Sequence, residues 1–113
     1  MTRLAWPAVL LIAACDGNGA DWDGAVADFE EGLCTSTCRT TPEEACRSDV
    51  QTDLAAAREL LDPAGEQRCI DCLDTRLRLI PAVEMQSCQP TTAQDSEVIR
   101  ACGTDNDACA RVF

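Results

Sequence analysis

The sequence contains no histidine, no tyrosine and no lysine, and its only basic side chains are nine arginines. The absence of histidine removes the most common general base and the mixed Cys/His type of zinc site. Twenty acidic residues outnumber the arginines and give a formal net charge of −11. Since contacts with phosphate need a basic surface, we expect no nucleic-acid partner. The 113 residues allow one domain, and they exclude a dinucleotide-binding domain joined to a separate substrate domain.

The first 14 residues have the pattern of a secretory signal peptide. Arg3 precedes an uncharged apolar run over residues 4–14 that ends in small side chains. This run is too short to cross a bilayer as a helix, because a spanning helix needs about 20 residues. The alternative is that residues 4–14 form a buried helix of a cytosolic protein. The export pattern and the high cysteine content agree with each other, and they favour the signal peptide.

The end of the apolar run is more specific. Ile12-Ala13-Ala14-Cys15 resembles the lipobox of bacterial lipoproteins, in which a branched residue and two small residues precede the modified cysteine. The resemblance covers the first 15 residues only. It implies cleavage before Cys15 and lipid on its sulfur and on its new amino terminus. The expected location is the bacterial cell envelope, with the protein anchored in a membrane through Cys15 and facing the periplasm or the exterior.

Behind the signal peptide, the sequence predicts a short tether and one domain. Residues 15–21 contain the lipidated cysteine and a polar, glycine-rich stretch, which we expect to be flexible. Residues 22–113 form the predicted cysteine-rich helical domain. The 99 residues from Cys15 onward include only 19 large hydrophobic side chains, so the core is thin. We expect disulfides to supply the missing stability, at about 2–4 kcal/mol of unfolding free energy each.

Helical periodicity begins at Trp22. An apolar stripe at steps of four, three and four residues predicts the first helix, and it consists of Trp22, Val26, Phe29 and Leu33. Thr41-Pro42-Glu43-Glu44 predicts the start of a second helix, with Thr41 as the cap and Glu44 completing a capping box. The apolar face of this helix is Cys46, Val50, Leu54, Ala57 and Leu61. We expect residues 62–65 to end it.

The remaining pattern is also helical. A third helix is predicted over residues 66–80, with Ile70, Leu73, Leu77 and Ile80 as its apolar stripe. Asp74 and Arg78 have the spacing of a favourable pair on its surface, and Pro81 should stop or kink it. Thr91 and Gln94 form a second capping-box pattern, and Gly103 is placed to end the fourth helix. No segment of alternating β-branched residues is present, so the predicted fold is all-α, a small disulfide-rich bundle of about four helices.

Eight cysteines remain after Cys15, an even number that can form four disulfides without a free thiol. They are Cys34, Cys38, Cys46, Cys69, Cys72, Cys88, Cys102 and Cys109. Eight cysteines allow roughly a hundred connectivities, and the sequence does not choose among them. The short turn between the first two helices gives one preference, because it brings Cys46 near Cys34 or Cys38.

The sequence Cys69-Ile70-Asp71-Cys72 has the CxxC spacing of thiol–disulfide oxidoreductases. No strand is predicted before it, and Asp71 disfavours a thiolate, so structural crosslinking is the preferred interpretation. An all-thiolate zinc site would need reduced thiols, which an oxidising compartment does not preserve; its ligands would be Cys34, Cys38, Cys69 and Cys72. Attachment of haem is excluded because Leu73 stands where histidine is required. We therefore expect no metal and no cofactor.

The sequence shows no catalytic constellation. It has neither a G-x-S-x-G motif nor a glycine-rich phosphate loop, and its acidic pairs at 30–31, 43–44 and 105–107 fit solvated surfaces or helix N-termini. We expect no enzymatic activity. The predicted role is binding or structural, with an envelope protein of unknown identity as partner. The alternative is an envelope thiol–disulfide oxidoreductase or redox sensor that uses Cys69 and Cys72.

Overall fold

The computed structural model describes residues 17–103 and Cys109, with side chains described from residue 21 onward. These residues form four α-helices and contain no strand. The helices are α1 (Gly17–Cys34), α2 (Glu43–Glu59), α3 (Pro63–Met85) and α4 (Thr92–Cys102). The predicted fold class, an all-α disulfide-rich bundle of about four helices, is confirmed. The predicted signal peptide and Cys15 lie outside the described residues.

Helices α1 and α3 are both central, since α1 packs against α2 and α3, and α3 packs against α1 and α4. The predicted stripes supply the core, because Phe29 of α1 and Leu54 of α2 are both fully buried. Burial of such a side chain contributes about 1.5–3 kcal/mol. The other large apolar core side chains are Trp22, Val50 and Leu73. Val26 and Leu33 are partly buried and pack against this core.

Helix α1 begins before the position that the sequence predicts. The helix starts at Gly17, so residues 17–21, expected to be part of a flexible tether, are its first turns. The segment contains no proline and no β-branched residue. Extending an existing helix orders one residue for each added hydrogen bond, which is far less costly than nucleating a new one. Two glycines therefore do not stop the packed helix from continuing toward its N-terminus.

The predicted capping box of α2 is wrong. The helix begins at Glu43, and the N-cap is Pro42, whose φ of −57° and ψ of 153° come with no side-chain cap. Thr41 therefore lies one residue too early to cap the helix. The backbone N–H of Cys46 donates to the Pro42 carbonyl at 2.9 Å. The carboxylates in the first turn stabilise the helix N-terminus in place of a hydroxyl cap.

Helix α3 is longer than predicted at both ends. Asp62 is its N-cap and accepts a hydrogen bond from the Gly65 N–H at 2.7 Å, with Pro63 in the first turn. Residues 62–65 therefore begin α3. Helix α2 has already ended at Glu59 with Leu60 as its C-cap, so Leu61, predicted on its apolar face, lies outside it. The helix also passes through Pro81 and continues to Met85. Pro81 removes one backbone hydrogen bond of the helix. At the end of the helix, the Val83 carbonyl accepts from the N–H groups of residues 86 and 88.

Helix α4 has the predicted caps. Thr91 Oγ1 accepts from the Gln94 N–H at 3.1 Å, and Gln94 Oε1 accepts from the Thr91 N–H at 2.8 Å. Gly103 ends the helix with a φ of 73°, a conformation that glycine adopts without a steric penalty. Arg78 was predicted to pair with Asp74 of its own helix. In the structure it donates a hydrogen bond to Glu97 of α4 at 2.7 Å. This ion pair joins α3 to α4.

Candidate functional site: the disulfide framework and an apolar pocket

All eight cysteines of the domain are in disulfides. The pairs are Cys34–Cys46, Cys38–Cys88, Cys69–Cys109 and Cys72–Cys102. The first pair is one of the two that the short turn between α1 and α2 favours. The other three join positions 30 to 50 residues apart. Together they tie α1 to α2, the loop after α1 to the loop after α3, and α3 to both α4 and residue 109.

The two cysteines of the CxxC sequence are not bonded to each other. Cys69 and Cys72 are each 0 % exposed, and they pair with Cys109 and Cys102. Their spacing of three residues places both on one face of α3, from which they reach two different segments. In the structure they crosslink the bundle.

A zinc site is not formed by the four cysteines that the sequence suggests for it. Cys34, Cys38, Cys69 and Cys72 belong to four different disulfides. Zinc binds cysteine as a thiolate, and a disulfide sulfur is not one. Across residues 17–103 and Cys109, no group of three or more Cys, Asp or Glu side chains is arranged to hold a metal ion.

An apolar pocket of about 290 Å³ lies where the C-terminal end of α1 meets α3 and α4. Its walls are mainly aliphatic and come from Leu33, Leu79, Ile80, Val83 and Val98. Cys38 and Pro90, from the two loops that the Cys38–Cys88 disulfide joins, close one edge. A pocket with aliphatic walls and a few polar groups is the usual form of a site for a small ligand.

Arg76 brings a positive charge into the wall of this pocket. Its side chain is buried, and its Nη1 donates to the Cys109 carbonyl at 3.4 Å. The guanidinium also lies over the ring of Phe29, 5.8 Å from the centroid. Burial lowers the pKa of Arg76 to about 9, so the group is still protonated at neutral pH. The pocket therefore combines aliphatic walls with a desolvated cation.

Hydrogen bonds fix the rim of the pocket on the α1 side. Ser36 is buried, and its Oγ donates to Glu84 Oε2 at 2.8 Å. The Thr37 N–H donates to the same carboxylate oxygen at 3.1 Å. The Ser36 Oγ in turn accepts from the Cys38 N–H at 3.0 Å. These bonds hold the loop after α1 against the end of α3.

A pair of side-chain amides fixes the rim on the α4 side. Gln86 Nε2 donates to Gln94 Oε1 at 2.9 Å, and Gln94 Nε2 donates to Gln86 Oε1 at 3.1 Å. Gln94 is also the residue that completes the cap of α4. These two hydrogen bonds join the end of α3 to the start of α4 across the connecting loop.

A charge cluster joins α1 to α2 away from the pocket. Arg47 donates to Glu43 at 2.8 Å and to Glu31 at 3.0 Å. A third carboxylate, Glu30, accepts from it at 3.1 Å. These hydrogen bonds, that to Glu43 most of all, raise the pKa of Arg47 above its usual value. Glu30 and Glu31, expected to be solvated, thus share one guanidinium with Glu43, which was expected to be stabilised by a helix N-terminus. The four-residue spacing of Glu43 and Arg47 was the sequence signal for this ion pair.

A second, more open recess lies between α1 and α2, beside Trp22 and Arg58. The Arg58 guanidinium is 5.3 Å from the centroid of the Trp22 ring, and its Nε donates to Glu66 at 3.2 Å. The walls of this recess are more polar than those of the first pocket, and the arginine over Trp22 is one of the residues that line it. We therefore consider the pocket beside Arg76 the stronger candidate site.

The sequence did not indicate this pocket. The predicted stripe of α3 shares Ile80 with the pocket. The other residues that α3 contributes to the pocket are Arg76, Leu79 and Val83. These three positions are spaced three and four residues apart, so the pattern for a second apolar face was present. The second face was not recognised because it includes Arg76, and a charged residue is ordinarily expected at the surface.

Among the described helices, none has the length and apolar character needed to cross a membrane. The chain matches no protein-family model, no curated protein and no solved structure. The residues and geometry of this chain are therefore the basis on which its function is proposed.

Proposed function

We propose that the protein is a lipoprotein of a bacterial cell envelope, anchored in a membrane through lipid on Cys15. Its acidic, disulfide-crosslinked helical domain has a binding or structural role at that membrane.

The observation that carries this proposal is the pairing of the eight domain cysteines among themselves. Four disulfides are typical of proteins exported to an oxidising compartment. The pairing uses every cysteine except Cys15, which is the residue that ends the lipobox-like sequence. Export, indicated by the disulfides, and lipidation, indicated by residues 12–15, support each other.

The charge and the pocket support a binding role. A net charge of −11 favours a basic patch on a protein or cations over the anionic headgroups of lipids. The pocket beside Arg76 offers a preformed apolar site for a small ligand. A lipid anchor would concentrate the domain at the membrane, so that weak contacts with an envelope partner suffice.

Lipidation is tested by expressing the full chain in bacteria with an alkyne analogue of palmitate. We expect the label on the wild-type protein, and its complete loss in Cys15→Ser together with release from the membrane fraction. Asn18→Ala is the matched control, because it lies beside the lipobox-like sequence without belonging to it, and it should keep the label. Equal labelling and equal membrane partition of wild type and Cys15→Ser would contradict the proposal.

The alternative oxidoreductase role finds no support in the geometry of Cys69 and Cys72. Such an enzyme needs an accessible thiol of lowered pKa, whereas both residues are fully buried in separate disulfides. An insulin-reduction assay distinguishes the two roles. Turnover by the wild-type protein that Cys69→Ser abolishes would favour the oxidoreductase.

A further inference from the structure

The four disulfides differ in their exposure to solvent. In three of them both cysteines are buried, with at most 6 % of either residue exposed. These are Cys34–Cys46, Cys69–Cys109 and Cys72–Cys102. In the fourth, Cys38 is half-buried and Cys88 is exposed. Because exchange requires direct attack on a sulfur atom, the disulfide with the most exposed cysteines should need the least opening of the bundle before a reductant reaches it.

The backbone at Cys88 is also in an unfavourable conformation. Ser87 has a φ of 58° and Cys88 a φ of 63°, so two consecutive residues that are not glycine have a positive φ. Such residues visit this region rarely, and then singly. The Cys88 N–H donates to the Val83 carbonyl at 2.9 Å. This bond closes a helix-terminating turn in which the residue with a positive φ is usually glycine. The Cys38–Cys88 disulfide is therefore attached to a strained turn, which loses one covalent constraint when the bond breaks.

We propose that Cys38–Cys88 is a site of thiol–disulfide exchange with a dithiol reductant, while the other three disulfides stay intact. A thiolate of the dithiol attacks the Cys88 sulfur, the S–S bond breaks, and the Cys38 sulfur leaves as a thiolate that takes up a proton. The second thiol of the reductant then attacks the mixed disulfide and releases Cys88, whose thiolate is also protonated. The dithiol is oxidised to a disulfide, and the protein gains two electrons and two protons.

The exchange would act on the pocket beside Arg76. Cys38 lines that pocket, and its bond to Cys88 joins the two loops at one edge. The hydrogen bonds of Ser36 with Glu84 and of Gln86 with Gln94 do not involve either sulfur. Reduction therefore frees one edge of the pocket while the helices remain in place. The exchange does not depend on lipidation of Cys15.

Stepwise reduction tests the proposal. The oxidised protein is incubated with increasing dithiothreitol, free thiols are blocked with N-ethylmaleimide, and the modified cysteines are identified by mass spectrometry of proteolytic peptides. We expect Cys38 and Cys88 to be modified at least about tenfold faster than the other six cysteines. Earlier modification of any other pair, or modification of all eight cysteines in one step, would overturn the proposal.

The double variant Cys38→Ser/Cys88→Ser provides the second measurement, because it imitates the reduced pair without a reductant. Its far-UV circular dichroism should match that of the wild type, and amide hydrogen exchange should accelerate in residues 86–91. The buried pair replaced in the same way, Cys34→Ser/Cys46→Ser, is the control and should leave exchange at 86–91 unchanged. Unaltered exchange at 86–91 in the first variant would show that the disulfide does not hold this turn.

Discussion

The packing of α1 against α3 can be tested with two glycines of the same helix. A Cβ atom added at Gly32 would overlap the Cδ1 atom of Leu77 on α3, and it would lie 3.9 Å from the Cδ1 atom of Ile80. At Gly24, nothing lies within 4 Å of the added atom. Since both residues are in α1, replacing either by alanine raises the helix propensity, by a similar amount at the two positions. The difference between the two substitutions isolates the steric effect of the α1–α3 contact.

The expected magnitudes come from the two surroundings. Gly24→Ala should stabilise the protein by about 0.5–1 kcal/mol, because alanine loses less backbone entropy in a helix than glycine does. Gly32→Ala has the same gain, offset by about 1–3 kcal/mol for displacing a packed side chain. Leu77 is half-buried and has some room to move, which places the cost in the lower part of that range. The two variants should therefore differ by about 1–2 kcal/mol.

Thermal unfolding followed by circular dichroism measures this difference, at about 4–8 °C for each kcal/mol in a domain of this size. The melting temperature should rise in Gly24→Ala and should be lower in Gly32→Ala than in Gly24→Ala. In a Leu77→Ala background the overlap is absent, so the two glycine substitutions should then have equal effects. Equal effects in the wild-type background would refute the close approach of the two helices.

Three further substitutions test other contacts. Thr91→Ala removes the capping box of α4 and should lower the free energy of unfolding by about 1 kcal/mol in urea denaturation, whereas the neighbouring Thr92→Ala should change it little; equal losses would contradict the cap. Arg47→Met should lower the melting temperature at low salt and much less in about 1 M NaCl, where the screening length is about 3 Å; an effect independent of salt would show that the charges do not matter. Replacing both Cys72 and Cys102 by alanine removes a crosslink between positions 30 residues apart and should lower the free energy of unfolding by about 4 kcal/mol in guanidinium denaturation. An unchanged denaturation midpoint would contradict this expectation.

The features that the sequence predicts well depend on neighbouring residues. Phe29 and Leu54 are buried as their helical stripes indicate, because one apolar face suffices to orient a helix. The cap at Thr91 and the end of α4 at Gly103 are also as predicted, since each rests on hydrogen bonds within a few residues. The sequence also favours a disulfide between Cys46 and either Cys34 or Cys38, and the observed partner, Cys34, is only 12 residues and one short turn away.

The features that the sequence does not predict depend on how the helices pack against one another. Cys38 and Cys88 are 50 residues apart, and their pairing requires α1 and α3 to be packed already. Pro63 illustrates a local ambiguity, because proline is compatible with the end of one helix and with the first turn of the next. The burial of Arg76 arises from the meeting of α1, α3 and residue 109, so no local pattern indicates it.

A disulfide map of the protein purified from bacteria that express the full chain is the most direct test of the disulfide framework. The fold, the proposed lipoprotein and the proposed exchange site all depend on that framework. Proteolysis without reduction, followed by mass spectrometry, should yield four linkages, namely Cys34–Cys46, Cys38–Cys88, Cys69–Cys109 and Cys72–Cys102. Cys15 should be absent from every linked peptide. A Cys69–Cys72 linkage, or a disulfide that includes Cys15, would contradict this framework.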